Sequence, residues 1–376
     1  METPGVSRVY KCQCGRPVFF RNSICLACKT PLGYEPSLGR ICPLAPGPEA
    51  QTWTIIGADK SAIRLYRHCA NLSSPSACNW LTRADSQSNP QALCISCRLN
   101  RTIPDLSDPG NAENWRRIEL AKRRVISSLV ALGLPVKPRE KEDAERGLAF
   151  DFLRSPTRGP RILTGHSNGV ITLNIEEADD STRESIREQM HEPYRTLLGH
   201  LRHEVGHYYW DRLIPGTPWI EKFRERFGDE RQDYAQAVAR HYQNGPPQDW
   251  QQKYVSAYAS SHPWEDWAET WAHYLHMSDT LDTALSFSLD IESVEMPFEG
   301  FKPEVLIPPD EQFLAFINSW IRFTAVLNEL SRSMGLPDFY PFVLSRSSVG
   351  KLHFIHMVVE AQRPQPASDR RIEVGN

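Results

Sequence analysis

Thr196-Leu-Leu-Gly-His200-Leu-Arg-His203-Glu204-Val-Gly206-His207-Tyr-Tyr-Trp-Asp211-Arg-Leu213 is the stretch on which the reading of this chain turns. Its pattern predicts a helix, and histidines four apart on a helix lie one turn apart on the same face. Both imidazoles can therefore reach one metal ion, with Glu204 beside them as a carboxylate that is not itself a ligand. Such a carboxylate can take a proton from a water as general base and pass it to a leaving amine. Gly206 inside the helix costs about 1 kcal/mol against Ala, the kind of local rule that is broken at functional sites. Asp211, one turn past His207, is placed to accept the second N–H of a ligand imidazole. His200 shares the face and reads as a supporting or packed histidine in preference to a ligand.

A catalytic zinc needs a third protein ligand and an open position. A histidine at 213 after a glycine at 210 would supply it, but the chain has Trp210 and Leu213. The other solution is a glutamate on a later helix. Pro263-Trp-Glu265-Asp-Trp-Ala-Glu269 opens one, with two like charges four apart that repel unless a cation joins them. Spacing alone leaves open which is the ligand. Glu265 is favoured, with Glu269 hydrogen-bonded to a ligating histidine. Tyr258 is the candidate donor to an oxyanion, with Tyr254 and Tyr208 behind it and plain packing as the competing role. Trp264, Trp267, Trp271 and Tyr274 read as core, and His273 and His276 as incidental. The alternating Gly169 to Ile175 is a strand that could offer its edge to a peptide.

All nine cysteines lie between Cys12 and Cys97. Cys12 and Cys14, with Cys25 and Cys28, form two knuckles suited to one tetrahedral zinc. Cys69, Cys78, Cys94 and Cys97 form a second, less regular set, and Cys42 is left over as a thiol. Four thiolates leave no position for water, so both sites read as structural. A loop-rich segment of this size needs such staples. Its aromatics and arginines could stack on nucleic acid, but in so small a unit they read as its own core.

The cysteine boundary divides the chain. Residues 1–105 form a zinc-ribbon unit and 106–150 a connecting helix, capped at Asn114, with a charged linker. Residues 151–362 form the histidine-bearing domain and 363–376 a tail. Further helices are expected near Glu192 to Leu213, Trp219 to Asn244, Trp250 to Ala259, Pro263 to Met277 and Asp310 to Met334. The net charge of −3 gives no electrostatic argument for nucleic acid or a membrane surface. Met1 to Tyr10 has no apolar core for export, so a cytoplasmic location is expected.

Cys12-Gln-Cys-Gly-Arg-Pro-Val-Phe-Phe-Arg-Asn-Ser-Ile-Cys-Leu-Ala-Cys28, Cys69-Ala-Asn, Cys78-Asn-Trp and Cys94 to Leu99 with Thr102-Ile-Pro-Asp105 resemble a bacterial zinc-ribbon domain. Tyr194 to His200, His203 to Asp211 and Ser256 to Tyr274 resemble the zinc-binding metallopeptidase family to which that ribbon is typically fused. Lethal-factor-like gluzincins are more distantly similar. They carry HExGH and, later, a tyrosine seven residues before the ligand glutamate of a Glu-x-x-Ala-Glu run. That resemblance implies Glu265 as third ligand and Tyr258 as transition-state donor. It implies an α+β zincin-like fold, mostly helical with a small sheet. The expected function is zinc-dependent hydrolysis of a peptide or protein substrate, with one catalytic and two structural zincs. The alternative is a binding protein whose ribbons hold nucleic acid or a partner on a catalytically weak zincin scaffold. A weaker option has the ribbon covering the cleft.

Overall fold

The computed structural model describes residues 7–58, 64–84, 89, 92–140, 143–156, 158–189, 196–296 and 299–363. The expected helix start at Glu192, and the expected tail at 363–376 apart from Arg363, lie outside them. The fold is α+β. Three small sheets serve the first half and the start of the second, and helices follow.

A two-residue pair, β1 (Tyr10–Lys11) and β2 (Pro17–Val18), carries the first knuckle between its strands. Gly15, at φ 80°, makes the turn that donates its amide to Cys12 O. An antiparallel meander follows, β3 (Leu32–Glu35), β4 (Arg40–Pro46), β5 (Trp53–Ile55), β6 (Tyr66–His68) and β7 (Leu81–Arg83), in spatial order 3-4-5-6-7. Cys42 packs with Leu44, Tyr66 and Leu81 in a small separate core.

The third sheet has the order β10-β11-β9-β8. β8 (Asn100–Thr102) and β9 (Ala149–Leu153) pair in parallel, as do β9 and β11 (Val170–Asn174). β10 (Gly165–Ser167) closes the order antiparallel to β11 through Asn168 and Gly169, both at positive φ, a two-residue hairpin of the type that matches strand twist. The edge beside the histidine helix is therefore β10. The expected edge, Val170 to Ile175, is interior because β10 covers it.

β8 lies just before the expected boundary at residue 105 and pairs with a strand that comes after it. Cys97–Leu99 is a 3-10 turn that runs straight into β8, so the second cysteine cluster is continuous with the sheet of the second half. One hydrophobic core extends from Tyr10 and Cys12 through Trp115 and Phe150 to Val359. Arg8, Arg124 and Arg202 all reach the buried carboxylate of Asp279, tying the amino-terminal arm to three helices.

Those helices begin with α1 (Pro109–Ala131), capped by Asp108, not Asn114, because Asp108 Oδ1 accepts from Gly110 N and Asn111 N. α2 (Asp180–Gln189) leads to α3 (Leu197–Leu213), capped by Thr196. The single helix expected over Trp219 to Asn244 is two, α4 (Trp219–Phe227) and α5 (Tyr234–Asn244), broken where Gly228 takes φ 104°. Trp250 to Ala259 holds only α6 (Trp250–Lys253) and a 3-10 turn, Tyr258–Ser260. α7 (Pro263–Ser286), capped by His262, runs past the expected Met277. α8 (Glu311–Ser333) and α9 (Arg346–Glu360) complete the fold. Among the described residues no helix is long and apolar enough to cross a membrane.

α3 and α7 meet at Gly206. A Cβ there would stand 3.0 Å from Ala268 Cα and 3.2 Å from Trp271 Cβ, and Trp267 Nε1 donates to Gly206 O at 2.9 Å. The interior glycine is thus explained by helix contact.

Gly206→Ala should force the two helices apart and cost about 1–3 kcal/mol, measured by denaturant unfolding. Asp279→Asn leaves the arginines without their anion and should cost roughly 3–5 kcal/mol. Burial raises the pKa of Asp279, but the arginines more than offset it, so the folded pKa lies below the ordinary value. Its contribution is therefore full above about pH 4 and lost as pH falls below that. Wild type should lose more stability than Asp279→Asn on acidification through that range.

Candidate metal centre

α3 presents His203 and His207 to the amino-terminal turns of α7, which present Glu265 and Glu269. His203 Nε2 and His207 Nε2 stand 3.1 Å apart, and Glu265 Oε2 lies 3.0 Å and 3.5 Å from them. Ligands bound tetrahedrally at zinc–N and zinc–O lengths sit about 3.4 Å from one another. The three atoms therefore fit one zinc ion, and Glu265 Oε2 is buried with no hydrogen-bond partner among the described residues. All three residues are buried, Glu265 with only 1% exposed.

In two of the three residues the other polar atom is held by a hydrogen bond, and the third is held by ring stacking. His203 Nδ1 bonds Glu269 Oε1 at 2.7 Å, and Ser256 Oγ donates to Glu269 Oε2 at 2.6 Å. This holds the His203 lone pair at Nε2, toward the cluster. Glu265 Oε1 accepts from the Tyr234 hydroxyl at 2.8 Å. The His207 ring stacks on Trp264, centroids 3.6 Å apart. Burial pushes the Glu269 carboxyl up, but His203 and Ser256 outweigh it and leave the group ionised, at about 2.

Glu204 stands beside this trio and is 4% exposed. Its Oε1 lies 3.2 Å from His200 Nε2, while Oε2 is buried without a hydrogen-bond partner among the described residues. His200 Nδ1 in turn bonds Glu177 Oε2 at 2.7 Å. Burial lowers the His200 pKa, but Glu177 and Glu204 outweigh it and raise it to about 9. The Tyr258 ring centroid lies 6.1 Å from that of His203. Burial, then the nearby Glu265 and Tyr234, drive its phenol well above the ordinary value, so it remains protonated and able to donate.

Two expectations are corrected here. Asp211 does not hold a ligand: its carboxylate is 3.9 Å from His166 Nδ1, and His207 Nδ1 has no hydrogen-bond partner among the described residues. One turn along α3 carries Asp211 toward the hairpin of β10, where its side chain is partly exposed. Trp264 is not core like Trp267 and Trp271, but a platform for His207. His273 bonds the Tyr340 hydroxyl and His276 meets Arg202, and neither belongs to the cluster. Tyr254 packs under Lys351, and the Tyr208 hydroxyl is buried without a partner among the described residues.

Sequence reasoning missed Tyr234, Glu177 and His166. Tyr234 opens α5 after its cap Asp233, and Glu177 sits in the 3-10 turn Ile175–Ala178 after β11. No spacing rule links either to α3. His166 lies on β10, its ring 6.3 Å from that of His207, and burial pushes it down to about 4.

The cysteines gather as two sets of four. Cys12 and Cys28 Sγ stand 3.5 Å apart, Cys14 and Cys25 Sγ 3.8 Å, and Cys78 and Cys94 Sγ 3.6 Å. Thiolates around a tetrahedral zinc are separated by about 3.8 Å. Cys14 and Cys28 are exposed, whereas Cys69, Cys78, Cys94 and Cys97 are all buried. Cys42 belongs to neither set; its Sγ faces Arg40 O.

Residues 9–108 match the model of a zinc-ribbon domain family, and residues 111–358 match a family described as "Putative zinc-binding metallo-peptidase". The chain is 42% identical over 361 residues to the uncharacterised protein Rv2568c of Mycobacterium tuberculosis strain H37Rv, covering 95% of this chain and 97% of the relative. An uncharacterised protein of Mycobacterium bovis, Mb2598c, matches with the same identity and coverage. No solved structure matches the chain. By the share of its length that the second model covers, the chain belongs to that zinc-binding metallo-peptidase family.

Proposed function

We propose that the protein is a gluzincin-type peptidase that hydrolyses peptide bonds of a peptide or protein substrate, with one catalytic and two structural zinc ions. The observation that carries this reading is the trio of His203 Nε2, His207 Nε2 and Glu265 Oε2 within 3.5 Å of one another, beside the unpaired Oε2 of Glu204. Zinc held by the trio supplies a Lewis acid for the scissile carbonyl and lowers the pKa of water.

The chain's own residues do the rest. Glu204 Oε2 takes the proton of the attacking water and passes it to the leaving amine. Glu269 and Ser256 keep the His203 ring in its tautomer. The Tyr258 hydroxyl donates to the oxygen that gains charge as the carbonyl carbon becomes tetrahedral. β10 is hydrogen-bonded on one side only among the described residues, so an extended peptide can add there as a further strand. The cysteine clusters, closed by four thiolates each, serve the fold.

Elemental analysis should find three zincs per chain, falling to two in the double variant His203→Ala, His207→Ala. Two in both proteins would remove the metal from α3 and the proposal with it. Glu204→Gln should keep all three while cleavage of a peptide library, followed by mass spectrometry, drops about 10²–10⁴-fold. Undiminished cleavage would take Glu204 out of the reaction.

A further inference from the structure

We infer that His200, anchored by Glu177, is a positioning residue that holds the Glu204 carboxylate in line with the metal site; this rests on the peptidase reading above. A glutamate side chain has three rotatable bonds, and a helix fixes only its root. Glu204 follows His203 on α3, so the backbone alone does not aim its carboxylate at the metal. His200 supplies the missing constraint. Four residues earlier on the same helix, its Nε2 reaches Glu204 Oε1 at 3.2 Å, and this leaves Oε2 unpaired beside the trio. One oxygen is held and the other is left for the reaction.

The imidazole could not do this if it were free to turn. Its Nδ1 is bonded to Glu177 Oε2 at 2.7 Å, so both ring nitrogens face carboxylates. Glu177 is fixed in turn: Thr164 Oγ1 donates to its Oε1 at 2.5 Å and accepts from Asn174 N at 3.1 Å. Thr164 immediately precedes β10, and Asn174 ends β11. The chain Thr164–Glu177–His200–Glu204 thus references the carboxylate to the sheet, independently of α7 and of the ligands it carries. Preorganisation of this kind lowers the cost of reaching the reactive geometry.

The test uses the full chain loaded with cobalt at the third site and acetohydroxamic acid as probe. A hydroxamate chelates the metal through two oxygens and shares its proton with a neighbouring carboxylate, so its affinity reports the placement of Glu204 without any cleavage. Binding is read from the visible absorption of the cobalt. His200→Leu should weaken binding at least tenfold, as Glu204→Gln should, with metal content close to wild type and a lowered melting temperature that still leaves the protein folded at the assay temperature. His200→Gln, which can still donate to one carboxylate, should fall between. Glu177→Gln, which keeps shape and removes the anchoring charge, should shift binding in the same direction.

Wild-type affinity in His200→Leu overturns the inference alone. Loss of the third metal in that variant also overturns it, since His200 would then be serving His203. A cobalt-loaded wild type that binds no hydroxamate sinks the peptidase reading and this inference together.

Discussion

The contact of α3 with α7 at Gly206 is the constraint on which the site depends. Two histidines come from one helix and two glutamates from the other, so the separation of the helix axes sets whether one ion can touch both. With no side chain at 206, the backbone of α3 rests on Ala268, and the Trp267 indole fastens the contact to the Gly206 carbonyl. An added methyl group would push against backbone on one side and Trp271 on the other. Only flexible side chains yield cheaply, and neither obstacle is one. Helix packing therefore decides the geometry before any metal chemistry does.

Charge supplies the second constraint. Glu177, Glu204, Glu265 and Glu269 converge on one region, and the first three are nearly inaccessible to water. Burying several carboxylates without compensation is costly enough that they would bind protons instead. Histidines share the burden through hydrogen bonds at His200 and His203, yet those two rings cannot balance four anions. The trio is a group that could hold a divalent cation, which would offset part of that charge. At low dielectric each polar atom left unmet weighs heavily, which is why Glu177 and Glu269 have both oxygens hydrogen-bonded. Two carboxylate oxygens remain unmet among the described residues, Oε2 of Glu204 and Oε2 of Glu265.

Much of this was legible in the chain, for reasons that differ by residue. The four-residue spacings of His203 with His207 and of Glu265 with Glu269 are local, and a helix converts them directly into shared faces. The cysteine sets were readable because knuckle spacing encodes turn geometry. Asp211 failed because helical spacing tells which residues share a side, not how far a short side chain reaches. Tyr234, Glu177 and Thr164 were illegible because they arrive from separate elements, and nothing along the chain records that α5 and the turn after β11 close on α3. The break between α4 and α5 had a local signal in Gly228, outweighed by the apolar periodicity on either side. The boundary at 105 was legible from composition, but the pairing of β8 with β9 across it was not, because nothing in the local sequence records which strand a three-residue segment joins.

That last feature bears on how such a protein can vary. Cys97 and Asn100 are separated by a single short turn, with thiolate ligand at one end and sheet strand at the other. No linker lies between them to absorb a change of angle. A change in the geometry of the second cysteine cluster is therefore passed directly to the edge strand of the sheet that carries β9, β10 and β11. The boundary that the cysteines draw in the sequence is, in three dimensions, a seam with no slack.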